Sequence, residues 1–147
     1  MLLFFLFSII SSDAYSSISK EFDREFIKQE TYYGFKQDLL KALCYVESNL
    51  KADIKVILDK NRPSYGICQV QLRTARHMGF KGTPKELMVP SMNIHIAAKY
   101  LNYNLIKHNG HWKKAVTAYN RGKFTNKMRE NNSYVIRILL ILNELEN

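Results

Sequence analysis

Glu47 has the surroundings of a carboxyl group suited to acid–base chemistry. It lies near the C-terminal end of a predicted apolar helix, with Leu43 and Val46 on the same face. Apolar surroundings disfavour the charged form of a carboxyl group, and the negative end of the helix dipole acts in the same direction. Both effects raise the pKa of a glutamic acid, which then keeps a proton to donate at neutral pH. The sequence therefore predicts a general acid at position 47.

Two further motifs follow Glu47 and provide hydrogen-bonding groups and aromatic rings. Residues 64–70 read SYGICQV, and residues 117–122 read TAYNRG. Between them, residues 89–101 read VPSMNIHIAAKYL. Each motif alone is also typical of ordinary packing, for example a loop with a glycine kink. With Glu47-Ser48, however, their order resembles the soluble lytic transglycosylase family, whose lysozyme-like domain cleaves the glycan strands of peptidoglycan.

The resemblance implies a mechanism with a single carboxyl group. In this family one glutamate protonates the glycosidic oxygen between N-acetylmuramic acid and N-acetylglucosamine. It then acts as a base on the muramic 6-hydroxyl, which closes onto the anomeric carbon and gives a 1,6-anhydro product. Carried onto this sequence, the role falls on Glu47. No cofactor or metal ion is expected.

The same resemblance implies the remaining site residues. Gly66 would let the backbone approach the sugar, Tyr119 would point its hydroxyl towards Glu47, and Asn93 would tie a loop to its helix. Cys68 stands where the family usually has methionine. The expected substrate-binding residues are Ser64, Gly66, Gln69, Tyr119, Asn120 and Tyr134. Peptidoglycan strands are the expected partner, envelope-spanning machinery is a further one, and the chain is expected to be a monomer.

Hydrophobic periodicity and capping residues predict a mostly helical domain. A first helix, capped by Ser17 or Ser19, is expected to run to about Glu30 and to end near Gly34. Ile54, Val56 and Ile57 are compatible with a short β-ribbon in the connector that follows the helix carrying Glu47. The other predicted helices cover residues 36–49, 72–78, 83–88, 91–108 (capped by Ser91), 112–120 and, from Asn132 or Ser133, to about 144. The expected fold is thus mainly α and lysozyme-like, of the goose-type or SLT kind, with a small β-element after the helix that carries Glu47.

Length and composition fit one exported domain. The chain has 147 residues, 46% of them hydrophobic, with six glycines and three prolines. Residues 1–14 resemble a secretory signal, although no basic residue precedes the apolar run; an uncleaved N-terminal anchor is the alternative. Residues 15–35 then form an accessory helix and residues 36–147 the lysozyme-like domain. The expected location is the periplasm or the cell envelope.

The two cysteines, Cys44 and Cys68, leave two alternatives. An oxidising compartment permits a disulfide, and Cys68 lies in the turn expected to face Cys44. Two buried free thiols are the favoured expectation, because cysteine is often buried when unpaired.

Three other functions compete with the lytic reaction. A hydrolase of the goose-type lysozyme kind would use Asp53 or Asp59 to direct water. A cell-wall-binding module would keep the groove without turnover. The net charge of +9 also suits nucleic acid, but the basic residues are spread along the chain without a recognisable nucleic-acid-binding motif, so no nucleic acid is expected.

No zinc site is expected, because His108 and His111 have no third ligand beside them in the sequence.

Overall fold

The computed structural model describes residues 18–58 and 62–147. The predicted export segment at 1–14 and residue Asp59 lie outside these ranges. Within them no helix combines the length and apolar character needed to cross a bilayer. The helices are α1 (Asp23–Tyr33), α2 (Leu39–Ser48), α3 (Leu72–His77), α4 (Pro84–Leu87), α5 (Pro90–Lys107), α6 (Trp112–Arg121) and α7 (Ser133–Leu145). The strands are β1 (Lys55–Leu58), β2 (Arg62–Tyr65) and β3 (Val70–Gln71).

Helix α2 lies in the middle of the domain. Eight of its ten residues are buried, including both of its leucines at the start and Leu43 in its centre. Such a helix is apolar on most sides and must be surrounded by other elements. It packs against α7, α1 and α5. The predicted apolar helix is therefore confirmed, with Leu43 and Val46 buried, and Glu47 lies near the end of a helix that is packed on several sides.

Helix α5, with 18 residues, is the longest of the described helices. It packs against α1 and α6, and it also contacts the short helices α3 and α4. Ala97 and Ala98 are fully buried on it, and small side chains let neighbouring helices approach closely. Pro90 occupies the first turn, with Val89 as the N-cap residue. The prediction that Ser91 caps this helix is wrong, because proline is well suited to the first helical position.

A small antiparallel sheet in the order β1-β2-β3 follows α2. Lys55 pairs with Tyr65, and Tyr65 pairs with Val70. The predicted β-ribbon is therefore confirmed. It is part of a three-stranded sheet, in which residues 62–65 form the central strand. This sheet forms one wall beside the end of α2. The mainly α fold with a small β-element is confirmed.

The N-terminal ends of α1 and α7 differ in how well the sequence predicts them. Helix α1 begins at Asp23 without a side-chain cap, because the Ser19 hydroxyl accepts a hydrogen bond from the Glu21 amide in the turn before it. The predicted start at Ser19 is therefore wrong, and Ser17 lies outside the described residues. Helix α7 begins as predicted: the Asn132 side chain accepts hydrogen bonds from the backbone amides of Tyr134 and Val135.

Cys44 and Cys68 form a disulfide. The favoured expectation of two free thiols is wrong. Both residues are fully buried, as expected, but the turn that holds Cys68 packs directly on α2 one helical turn before Glu47. Spacing along the sequence alone does not reveal this approach, because it depends on how the sheet folds back.

Candidate active site

Glu47 is the second-last residue of α2 and is partly buried. After Ser48 the chain leaves the helix through two successive left-handed residues, Asn49 (φ 55°) and Leu50 (φ 60°). This conformation is uncommon for a leucine, and such backbone is found at sites where the surrounding structure enforces it. The sharp exit sends the chain into the sheet and leaves the carboxyl group of Glu47 at the edge of a groove.

Helix α7 brings a tyrosine onto this carboxyl group. Tyr134 lies in the first turn of α7, and its hydroxyl donates a hydrogen bond of 2.5 Å to Oε1 of Glu47. The cap by Asn132 fixes the start of α7 and therefore the position of Tyr134. One carboxyl oxygen of Glu47 is thus occupied by the protein.

Burial dominates the electrostatics of the pair. It raises the pKa of Glu47, while the Tyr134 hydroxyl, the neighbouring Asn120 amide and the charge of Arg137 act in the opposite direction. Asn120 lies beside the carboxyl group without a hydrogen bond of ordinary geometry. Burial and then the charge of Glu47 raise the pKa of Tyr134 well above its usual range. Tyr134 therefore remains a hydrogen-bond donor, and Glu47 holds its proton more strongly than a solvated glutamic acid.

The turn formed by residues 66–69 is held by hydrogen bonds from three directions. The Ser48 hydroxyl donates to the carbonyl of Ile67, and the Tyr119 hydroxyl donates to the carbonyl of Cys68 at 2.8 Å. The Asn93 side-chain oxygen accepts from the Cys68 amide at 2.8 Å. Buried backbone groups need such partners. The second residue of the Glu-Ser motif thus ties the end of α2 to the turn.

Asn93 ties the turn to helix α5, as the family resemblance implied. It is fully buried on α5, and its amide nitrogen also donates to the carbonyls of Tyr65 and Leu87. Gly66 faces this amide: a Cβ there would lie 2.7 Å from the Asn93 nitrogen, and φ is +72°. The structure thus explains the glycine by packing against Asn93. It does not place Gly66 among the residues that line the groove.

Gln69 and Tyr119 use part of their polar groups within the protein. The amide nitrogen of Gln69 donates to the carbonyls of Gly66 and Ile54. Its side-chain carbonyl accepts no bond from the described residues and is the group left for a ligand. The Tyr119 hydroxyl points to the Cys68 carbonyl, and not to Glu47 as the resemblance implied. Burial, followed by the charge of Glu47, raises the pKa of Tyr119 well above its usual range.

A groove of about 330 Å³ runs between the sheet and α6 at the end of α2. It brings together Glu47 and four of the six expected binding residues, while Tyr134 reaches it through its bond to Glu47. Asp53 is exposed and does not line the groove. The lining residues are Glu47, Arg62, Ser64, Gln69, Val70, Gln71, Thr74, Tyr100, Tyr119, Asn120, Arg121 and Gly122.

Sequence reasoning missed the buried carboxylate of Glu30. It lies on α1, where its oxygens accept hydrogen bonds from the backbone amides of Asp38, Leu40 and Lys41. These amides belong to the N-terminal turn of α2. Burial is the larger effect and raises the pKa of Glu30, and the hydrogen bonds from these amides act in the opposite direction. Glu30 therefore fixes the end of α2 opposite Glu47. No local motif marks this contact, because the carboxyl group comes from a different helix. Arg62, Thr74 and Arg121 were missed as groove residues for the same reason: only the fold brings them together.

Comparison with known proteins identifies a family and a structural neighbour. The sequence model of the Transglycosylase SLT domain matches residues 24–138, more than half of the chain. No curated protein matches the sequence significantly. The fold is similar to the X-ray structure of an inactive glutamate-to-glutamine mutant of lytic transglycosylase Slt from Pseudomonas aeruginosa, with a TM-score of 0.68 and 18% sequence identity. The match covers 86% of this chain and 24% of the solved one, so the chain spans about a quarter of the length of that protein.

Proposed function

Because the chain belongs to the Transglycosylase SLT domain family, we propose that it is a lytic transglycosylase that cleaves peptidoglycan between N-acetylmuramic acid and N-acetylglucosamine. The observation that carries the proposal is the state of Glu47. Its carboxyl group lies in a groove, burial raises its pKa, and Tyr134 holds one of its oxygens. This is the environment that a general acid for glycoside cleavage requires.

Glu47 acts twice in the proposed reaction. With Oε1 bound to Tyr134, the proton on the other carboxyl oxygen passes to the glycosidic oxygen as the bond to the anomeric carbon breaks. The resulting carboxylate then takes the proton of the muramic 6-hydroxyl, whose oxygen bonds to the anomeric carbon. The enzyme returns to its starting protonation state, and the product carries a 1,6-anhydro end. No water enters the reaction, so no second carboxylate is needed to direct one.

Ser64, Gln69 and Asn120 are proposed to bind the sugars. Ser64 lies on the groove face of β2, Gln69 offers its side-chain carbonyl, and Asn120 stands exposed at the end of α6. Tyr119 is proposed to shape the floor of the site, since its hydroxyl is used on the turn. Since the substrate is the cell wall, an exported location in the periplasm or the envelope is proposed with this activity.

Replacing Glu47 tests the proposal. Glu47→Gln keeps the shape of the side chain but removes the proton that is transferred, so release of soluble fragments from purified peptidoglycan should fall by at least about a hundredfold. Glu21→Gln is the matched control, because Glu21 is exposed before α1 and should leave the rate unchanged. Circular dichroism should show both variants folded. A folded Glu47→Gln variant with near-normal release would refute the role of Glu47.

A further inference from the structure

Two arginines lie on opposite walls of the groove. Arg62 is the first residue of β2, and Arg121 is the last residue of α6. Both line the groove and both are exposed. Among the described residues of the lining, Glu47 is the one acidic side chain. When Glu47 is protonated, the charges left in the described lining of the groove are therefore those of the two arginines, which favours anionic ligands.

The strand pattern directs Arg62 towards the groove. Side chains alternate between the two faces of a strand, so Arg62 and Ser64 project from the same face of β2. Ser64 pairs with Gln71 across the sheet, and all three residues line the groove. Arg62 thus belongs to the wall that faces the ligand.

Arg121 has a structural role that leaves its charge available. A cation at the C-terminal end of a helix interacts favourably with the helix dipole, and this accounts for an arginine before the terminal Gly122. That interaction involves no carboxylate. The ion pairs formed among the described residues involve three lysines, and neither groove arginine donates a hydrogen bond to a described residue. A guanidinium in this state can bind a carboxylate through two parallel hydrogen bonds.

We propose that Arg62 and Arg121 form a carboxylate-binding subsite, through which the protein prefers glycan strands with anionic substituents. The inference rests on the proposed function, because it takes the groove as the place where the glycan lies. Peptidoglycan offers carboxylates from two sources, the stem peptides and, where a peptide has been removed, the lactyl group of muramic acid. A chitooligosaccharide has a similar pyranose backbone and no carboxylate.

Binding measurements on the full chain test the subsite without turnover. The Glu47→Gln variant is combined in turn with Arg62→Gln and with Arg121→Gln, and calorimetry gives the Kd for three soluble probes. These are peptide-bearing strands, strands freed of peptides by an amidase, and neutral chitooligosaccharide. Each arginine variant should weaken binding of a carboxylate-bearing probe about threefold to fivefold and leave chitooligosaccharide unchanged. High salt should abolish the difference. Arg24→Gln is the matched control, because Arg24 is exposed on α1 and does not line the groove, and it should leave every Kd unchanged.

The outcomes separate the source of the carboxylate from failure of the proposal. A loss confined to peptide-bearing strands assigns the subsite to the stem peptide, and a loss confined to amidase-treated strands assigns it to the lactyl carboxylate. A loss on both probes shows that the subsite accepts either carboxylate. An unchanged Kd for every probe, or an equal loss on chitooligosaccharide, overturns the subsite. Release of 1,6-anhydro fragments by the native chain is measured in parallel. If that release persists while the arginine variants bind normally, only the subsite is wrong; if there is neither release nor glycan binding, the proposed function is wrong too.

Discussion

The disulfide between Cys44 and Cys68 has a stabilising effect that can be worked out from its position. The two cysteines are 24 residues apart, and the bridge joins α2 to the turn that carries Gln69. Closing a loop of this length restricts the unfolded chain and stabilises the folded protein by about 3.5 kcal/mol at 25 °C. For about 130 folded residues the unfolding entropy is about 0.27 kcal/mol per kelvin, so reduction should lower the Tm by about 13 °C.

Chemical denaturation of the oxidised and the reduced protein measures this effect. The native chain is unfolded in urea with and without dithiothreitol, and the free energy of unfolding in water is compared. Reduction keeps both side chains in place, so the difference reports the bridge and not a cavity. The variant in which both cysteines are replaced by alanine is the control, since the reductant should not alter its midpoint.

Two results would contradict this stabilising role of the disulfide. A difference below about 1 kcal/mol between the oxidised and reduced proteins would mean that the bridge does not constrain the unfolded chain as a loop of this length should. Two reactive thiols in the unfolded, unreduced protein would mean that the bridge does not form. In the second case the position of the turn beside Glu47 would depend on its hydrogen bonds alone.

Three further substitutions test the supports of the site. Tyr134→Phe removes a hydrogen bond that lowers the pKa of Glu47, so this pKa should rise further and the loss of activity at high pH should shift to higher pH. The rate should fall about tenfold. An unshifted pH–rate profile would contradict the role of Tyr134. Glu30→Gln weakens the buried cap of α2 and should cost about 1–2 kcal/mol in urea unfolding, whereas no loss would show that the cap is unimportant. Gly66→Ala should cost about 3 kcal/mol, because strain at positive φ adds to a clash; Gly34→Ala, with the same sign of φ and open space around it, should cost only about 1 kcal/mol. Equal costs at both glycines would rule out the clash.

The helices were predictable because their signals are local. The apolar residues of α2 recur at helical spacing, Asn132 caps α7 through its own side chain, and Gly122 ends α6 at positive φ. Each of these features lies within a few residues of the element it defines. The order of the short motifs resembled a family that works with a single catalytic glutamate, at the position of Glu47. The matching family model confirms that resemblance.

The contacts that position the site could not be predicted in this way. Glu30 caps a helix other than its own, and the Tyr119 hydroxyl reaches a carbonyl 51 residues away. Asn93 fills the space that Gly66 leaves open, so the glycine reflects packing between distant segments. Such contacts depend on how whole helices and strands pack against one another. Composition and periodicity do not predict this packing.

In the proposed reaction Glu47 transfers a proton twice and no water enters. Mass spectrometry of the soluble fragments released from purified peptidoglycan distinguishes this reaction from hydrolysis. We expect muropeptides that end in 1,6-anhydro-muramic acid, one water lighter than hydrolysed ones, and their loss in Glu47→Gln. Fragments with ordinary reducing ends would contradict this reaction and would mean that water attacks the anomeric carbon.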